Sequence, residues 1–196
     1  MKSNILERYP CATDGRYMID ITADKVSDLY NDFDKNAPYV RKELDQDLVE
    51  YIRDSARDLG REKFTIRFYL VEPPDEAMMD RVTTSINSYF LYLKTIEFQE
   101  LARIIRTSLI YLVLGVAMLF ITVWLNQKLT TDASVLSSVF SQGLTVAAWV
   151  SLWEALATFL VNWTPYSRQI KIYERIAEAP VLFMSAPAPP SVTPSG

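Results

Sequence analysis

The sequence predicts an α+β membrane protein in which a small cytosolic β-α-α-β-α domain continues through a long helix into a two-helix transmembrane hairpin. Three observations predict this class. Most charged residues precede residue 107, two later stretches are long and apolar, and the charged part contains both alternating and helical periods. The 196 residues therefore divide into a cytosolic domain with a juxtamembrane helix at 1–106 and a membrane anchor.

The first 106 residues contain two alternating segments, which predict two strands. Residues 16–21 place Tyr17, Ile19 and Ile21 on one face, and residues 64–71 alternate most clearly in the chain. Two strands alone form a marginal sheet. We therefore expect the domain to complete its sheet by pairing with a second copy or with another protein.

Helical periods predict three helices in the same domain. The first follows Asp24 and carries apolar residues at 26, 29, 30 and 33, and the second covers 45–59 with Gly60 placed for a C-terminal cap. The third begins at Asp75. Because no Gly or Pro follows before Gly115, it should enter the membrane without a break.

Two apolar segments predict the membrane anchor. Residues 107–127 contain no charged side chain and form transmembrane helix 1, and residues 143–163 contain only Glu154 and form transmembrane helix 2. The remaining segments are a short external loop at 128–142, a cytosolic amphipathic segment at 164–184 and a disordered Pro- and Ser-rich tail at 185–196.

Charge on the flanking segments predicts the orientation. Lys and Arg residues precede the first span and follow the second, whereas the only charged residues of the connecting loop are Lys128 and Asp132. Because positive flanks stay inside, we expect both termini in the cytoplasm. Residues 1–10 lack an apolar core, so we expect no cleavable signal peptide there.

The composition excludes several kinds of site. Asp and Glu number 24 against 20 Lys and Arg, and the acidic excess lies in the soluble part, which argues against a nucleic-acid partner. The sequence contains no His and a single Cys, Cys11, which removes the usual zinc, iron and His-based catalytic sites. We expect no cofactor, although a magnesium site built from carboxylates alone stays open.

Glu154 is the candidate functional residue because it is the one ionisable group in an apolar span. A carboxylate near mid-bilayer costs about 2.5–3.5 kcal/mol on insertion scales, so it must be neutral, paired or hydrogen-bonded. Ser151 and Thr158 share its helical face. Gly115 is expected at the depth of Glu154, and Tyr111 at the depth of Thr158, where its hydroxyl would donate to Glu154 or to a neighbour.

Three functions are compatible with this architecture. The leading hypothesis is a non-enzymatic membrane-anchored interaction or scaffold protein that binds the lipid bilayer and associates with itself or another membrane protein. The alternatives are a small transport or channel subunit organised around Glu154 and a membrane-tethered enzyme with a carboxylate-based site. Transport requires several ionisable groups along a route, and here only hydroxyl and amide side chains accompany Glu154.

Two stretches of the sequence resemble a known family. The first is Phe33 to Ile52, and the second consists of Ala148, Trp149, Val150, Ser151, Leu152, Trp153, Leu156, Phe159, Leu160, Trp163, Pro165, Ile172, Tyr173, Glu174, Arg175, Pro180 and Val181. Both are similar to a family of uncharacterised bacterial inner-membrane proteins that have two transmembrane helices and a small N-terminal cytosolic domain.

The resemblance implies a bacterial inner-membrane location and does not imply a mechanism. In that family an Arg-Pro pair follows the second Trp and an acidic residue lies further on. Here those positions hold Glu154, Ala155 and Ala157. The displaced charge favours a replaceable structural role for Glu154.

Overall fold

The computed structural model describes residues 5–34, 37–72, 74–128 and 135–185. Its contacts define two compact units: a sheet unit, formed by Met1–Thr95 with Lys171–Gly196, and a hairpin unit, formed by Ile96–Ile170. The helices and strands, in chain order, are β1 (Tyr17–Ala23), α1 (Gln46–Asp58), β2 (Phe64–Leu70), α2 (Glu76–Lys128), α3 (Val135–Ala177) and β3 (Val181–Ser185).

The sheet has three strands in the order β1-β2-β3, and both pairs are parallel. Tyr17 is opposite Phe64 in the first pair, and Ile66 is opposite Val181 in the second. The prediction of a two-stranded sheet was therefore wrong, because the chain supplies its own third strand after α3. An α+β fold with two long apolar helices is confirmed.

One face of the sheet forms the core, and the helices of the sheet unit pack on that face. Ile19, Ile66 and Phe68 are fully buried there, and the same cluster takes in side chains from each of the three helices. Phe68 also stacks on Phe183 of β3 at a centroid distance of 5.6 Å. The strict alternation of β2 thus directs its Phe, Ile and Leu side chains into one core.

The opposite face of the sheet contributes no side chain to that core. Asp20 of β1 and Arg67 of β2 are opposite each other and form a bidentate ion pair, with N–O distances of 2.7 and 2.8 Å. Hydrogen bonding to Asp20 raises the pKa of Arg67. This pair links β1 to β2 on the face of the sheet opposite the core.

Helix α1 begins and ends where its capping residues place it. The Asp45 carboxylate accepts hydrogen bonds from the backbone N–H groups of Asp47 and Leu48, and Gly60 follows the helix with φ +61°. A side-chain cap and a glycine in the left-handed region are standard helix boundaries. The predicted helix at 45–59 is therefore confirmed.

The helix predicted after Asp24 is absent, and short 3-10 turns occupy that segment. They cover Val26–Leu29 and Asp32–Asp34, and a third follows at Tyr39–Arg41. The Asp28 carboxylate accepts from the backbone N–H of Lys25, which closes the first turn locally. Leu29 and Tyr30 are buried in the core as the apolar period indicated, whereas Phe33, the last residue of that period, is 99% exposed.

Helix α2 has the predicted extent, whereas helix α3 is longer than the predicted span at 143–163. The uninterrupted helix predicted from Asp75 is confirmed by α2. Helix α3 starts at Val135, inside the segment assigned to the loop, and continues through Pro165. Near its end Tyr173 and Ile176 are buried in the sheet unit, so the apolar face of the predicted amphipathic segment packs in the core of that unit.

Two predicted segments lie largely outside the described residues. The disordered tail falls on 186–196, and the centre of the connecting loop falls on 129–134. Ser185, with which the predicted tail begins, is the last residue of β3.

The core position of Phe68 leads to a stability prediction. Phe68→Ala removes a fully buried ring that stacks on β3, and the cavity should lower the free energy of unfolding of the sheet unit by about 3–5 kcal/mol. Phe33→Ala is the matched control, because its ring is exposed and the change should stay within about 0.5 kcal/mol. Hydrogen exchange of the strand amides in the full chain, followed across a urea series, measures both values.

Candidate functional site: the apolar helix hairpin

The hairpin unit exposes apolar surface along both of its helices. The most apolar windows of α2 and α3 have mean hydropathies of 2.4 and 1.7, and only 17% and 11% of their residues are buried. A core helix of a soluble protein would bury most of such a window. Both helices are therefore long and apolar enough to cross a membrane, with their apolar side chains on the outside.

A narrow row of mostly small residues on each helix forms the contact between them, which we call the seam. On both helices the buried positions recur every seven residues, the period of side chains that keep facing a partner helix in a left-handed supercoil. The seam residues are Leu101, Ser108, Gly115 and Thr122 on α2, and Ser141, Ala148 and Ala155 on α3.

Gly115 is the closest point of the seam. A Cβ atom added there would lie 2.9 Å from Leu152 Cγ and 3.1 Å from the backbone oxygen of Ala148. Both distances are shorter than ordinary van der Waals contact. Gly115 therefore permits an approach that no other residue type allows without a shift of α3, as small residues do between membrane helices.

Several hydroxyl groups of the hairpin donate to the backbone of their own helix. Thr122 donates to the carbonyl of Met118, Thr145 to that of Ser141, and Ser151 to that of Ala147. These bonds leave few polar groups to hydrate, which suits an apolar surrounding. The buried Ser108 hydroxyl is different, because it has no hydrogen-bond partner among the described residues.

A lateral cavity lies beside the seam in the hairpin unit. Its volume is about 300 Å³, and Ser108 supplies its one hydroxyl group. The lining residues are Ile105, Ser108, Leu109, Leu112, Leu152, Ala155, Leu156 and Phe159. The cavity is open to the outside and its lining is almost wholly apolar, so it is a groove and not an enclosed chamber.

The structure separates the residues that the sequence singled out. Gly115 lies in the seam, whereas the side chain of Glu154 is exposed on another side of α3. The carboxylate accepts a hydrogen bond from Thr158 Oγ1 at 3.5 Å. Tyr111 makes no hydrogen bond to Glu154 in the part of the chain that the structure describes, and its side chain is partly exposed.

Sequence reasoning missed the seam because it compared depths along the two spans and did not follow their helical faces. Ala148 and Leu152, which face Gly115, lie about 120° and 160° around α3 from Glu154 at 100° per residue. The sequence does contain a pattern that indicates the seam, because the small residues Ser108, Gly115 and Thr122 are seven positions apart. That spacing fixes the rotation of each helix.

The seam predicts opposite effects for two glycine substitutions. Gly115→Ala should destabilise the hairpin by about 1–3 kcal/mol, because the new methyl group overpacks the contact with Leu152 and Ala148. Gly143→Ala is the matched control: nothing lies within 4 Å of its added Cβ, so it should gain about 0.5–1 kcal/mol of helix stability. All four Trp residues lie at 124–163, so Trp fluorescence during denaturation in mixed micelles reports on the hairpin. Equal effects of the two substitutions would contradict the close contact.

Comparison with known proteins gives no relative. No protein-family model matches the chain, and neither a curated protein nor a solved structure matches it. The resemblance to two-span inner-membrane proteins stays a prediction. A function for this chain therefore has to be inferred from the geometry of its hairpin and its sheet.

Proposed function

We propose that this chain is a membrane-anchored, non-enzymatic interaction or scaffold protein that associates with itself. In this proposal residues 107–127 and 143–163 cross a bacterial inner membrane, and the sheet unit lies in the cytoplasm with both termini. The observation that carries the proposal is the apolar surface that α2 and α3 leave exposed. Exposing an apolar surface of that size to water is unfavourable in free energy, whereas the hydrocarbon core of a bilayer would cover it.

The flanking charges support the proposed orientation. Arg103 and Arg106 precede the first span, and Arg168 and Lys171 follow the second. The cationic residues therefore flank the two span ends that connect, along the chain, to the sheet unit. The satisfied hydroxyls of the hairpin support a bilayer environment for the spans.

Strand β3 supports an interaction role for the sheet unit. Because the backbone N–H of Ile66 donates to Pro180 O at 2.9 Å, alternation turns the amides of Val181, Phe183 and Ser185 to the outer side of the sheet. Leu182 and Met184 are 43% and 44% exposed. The strand contains no charged residue or proline of the kind that usually protects an edge.

The other edge of the sheet is partly occupied by the chain itself. Residue 10 accepts from the backbone N–H of Met18 at 2.8 Å, and Tyr51 Oη donates to the backbone oxygen of Asp20. These contacts use outward-facing groups of β1. Among the residues that the structure describes, the edge at β3 is therefore the one with room for another strand.

We assign a second copy of β3 as the strand that pairs there. An uncharged strand meets its own copy without like-charge repulsion, and antiparallel pairing across a twofold axis places the same apolar side chains against each other. The pairing would extend two three-stranded sheets into one of six strands. It would also cover Leu182 and Met184.

The proposed topology predicts the labelling of Cys11. This residue is the single Cys of the chain and is exposed in the structure. A membrane-impermeant maleimide should label it in inverted vesicles and leave it unlabelled in intact spheroplasts, because the N-terminal segment is proposed to be cytoplasmic. The control is Asp132→Cys in a Cys11→Ala background, which should show the reverse pattern. Labelling of Cys11 from outside would refute the orientation.

The proposed self-association predicts the effect of charges on β3. Leu182→Lys combined with Met184→Lys should reduce cross-linked oligomers extracted from native membranes, since it brings like charges together at the paired edge. Thr22→Lys is the control, because Thr22 is exposed on the same sheet face but lies on β1. Mass measurement of the complex then decides: an unchanged oligomer in the double variant excludes β3 pairing, and a monomeric parent excludes self-association altogether.

A further inference from the structure

We infer that Glu154 forms a hydrogen-bonded contact with Glu154 of a second copy of this chain within the membrane. This inference rests on the proposed function, because it requires the hairpin to span a bilayer. It adds a specific intramembrane interface to that function. The geometry that carries it is the position of Glu154 outside the seam.

The hairpin gives the Glu154 carboxyl one long hydrogen bond and no ion pair among its described residues. Thr158 Oγ1 donates to it at 3.5 Å, which is longer than the usual O–H···O distance of about 2.5–3.0 Å. Residues 107–127 carry no charge, and residues 143–163 carry only Glu154. No cation in either span is therefore placed to pair with this carboxyl, in the same copy or in a second one.

A carboxyl in this position is complementary to itself. In its neutral form the group both donates and accepts a hydrogen bond, and a twofold axis along the membrane normal brings the same residue of two copies to the same depth. Two Glu154 side chains then satisfy each other without a cation. An ionised Glu154 would instead need a cation from a partner of a different kind, since neither span of this chain contains Lys or Arg.

The surroundings of Glu154 allow the close approach that such a pair needs. Ala147, Ser151 and Thr158 lie on its helical face at spacings of three to seven residues. These side chains are small and only partly buried. Val150 and Val161 complete the face and are more than 60% exposed.

The Glu154 face is distinct from the seam. Ala148 and Leu152 approach Gly115 on another side of α3, so a second copy is able to pack on Glu154 while the hairpin stays intact. Substitutions on this face are therefore expected to separate copies without unfolding either one.

Two substitutions of Glu154 test the nature of the contact. Glu154→Leu removes every polar group, and the dissociation constant of the complex in liposomes should rise on the order of 10-fold, as expected for one interhelical hydrogen bond in a membrane. Glu154→Gln keeps a donor and an acceptor and should retain association. If Glu154→Gln dissociates the complex as fully as Glu154→Leu, the contact is an ion pair with a different protein and the inference is overturned.

Cysteine cross-linking tests the position of the contact. In a Cys11→Ala background, Val161→Cys should give disulfide-linked dimers under mild oxidation in membranes. Leu160→Cys is the matched control, since Leu160 is 59% exposed and adjacent in sequence but lies about 100° away around α3. Equal cross-linking at both positions, or none at Val161→Cys, overturns the inference.

Membrane extraction separates failure of this inference from failure of the proposed function. If the parent chain resists carbonate extraction and shows cytoplasmic Cys11, yet Glu154→Leu associates as the parent does, the anchor stands and the Glu154 contact is wrong. If the parent chain is released by carbonate, the membrane anchor fails, and the inference fails with it.

Discussion

The parallel pairing of β3 with β2 joins two parts of the chain that are separated by both long helices. Ile66 and Phe68 of β2 lie opposite Val181 and Phe183 of β3, and without β3 the central strand would become an edge. The same closure places the end of α3 beside the part of α2 that belongs to the sheet unit, where Lys94 and Glu174 form an ion pair at 2.6 Å. The core of the sheet unit therefore requires residues from both ends of the described chain.

The sequence predicted the elements whose local signals agree with their final environment. The alternation of Phe64, Ile66 and Phe68 matches a strand with one buried face, and Asp45 and Gly60 mark a helix whose caps are local. Strand β3 could not be recognised, because Val181–Ser185 is a short apolar run after Pro180 and resembles the end of an amphipathic segment. Its assignment depends on β2, which is remote in sequence.

The hairpin shows a similar division between local and remote information. Length and apolar composition predict two membrane-spanning helices, but they carry no information about which side of each helix faces the other. The buried positions Ser108, Gly115 and Ala148 show how each helix is rotated about its axis, because small residues permit the close approach of the two helices. Once the rotation is known, the exposure of Glu154 follows from its angle on α3.

The place of β3 in the chain has a consequence for biosynthesis. A ribosome releases β1, α1 and β2 first, and the partner strand of β2 emerges only after both long helices have been made. Non-local pairing of this kind delays folding, since its loop-closure entropy is lost before its contacts form. During that interval β2 offers an open edge to chaperones and to neighbouring nascent chains. Completion of the sheet thus has to wait until both long helices have been synthesised and the C-terminal strand has emerged.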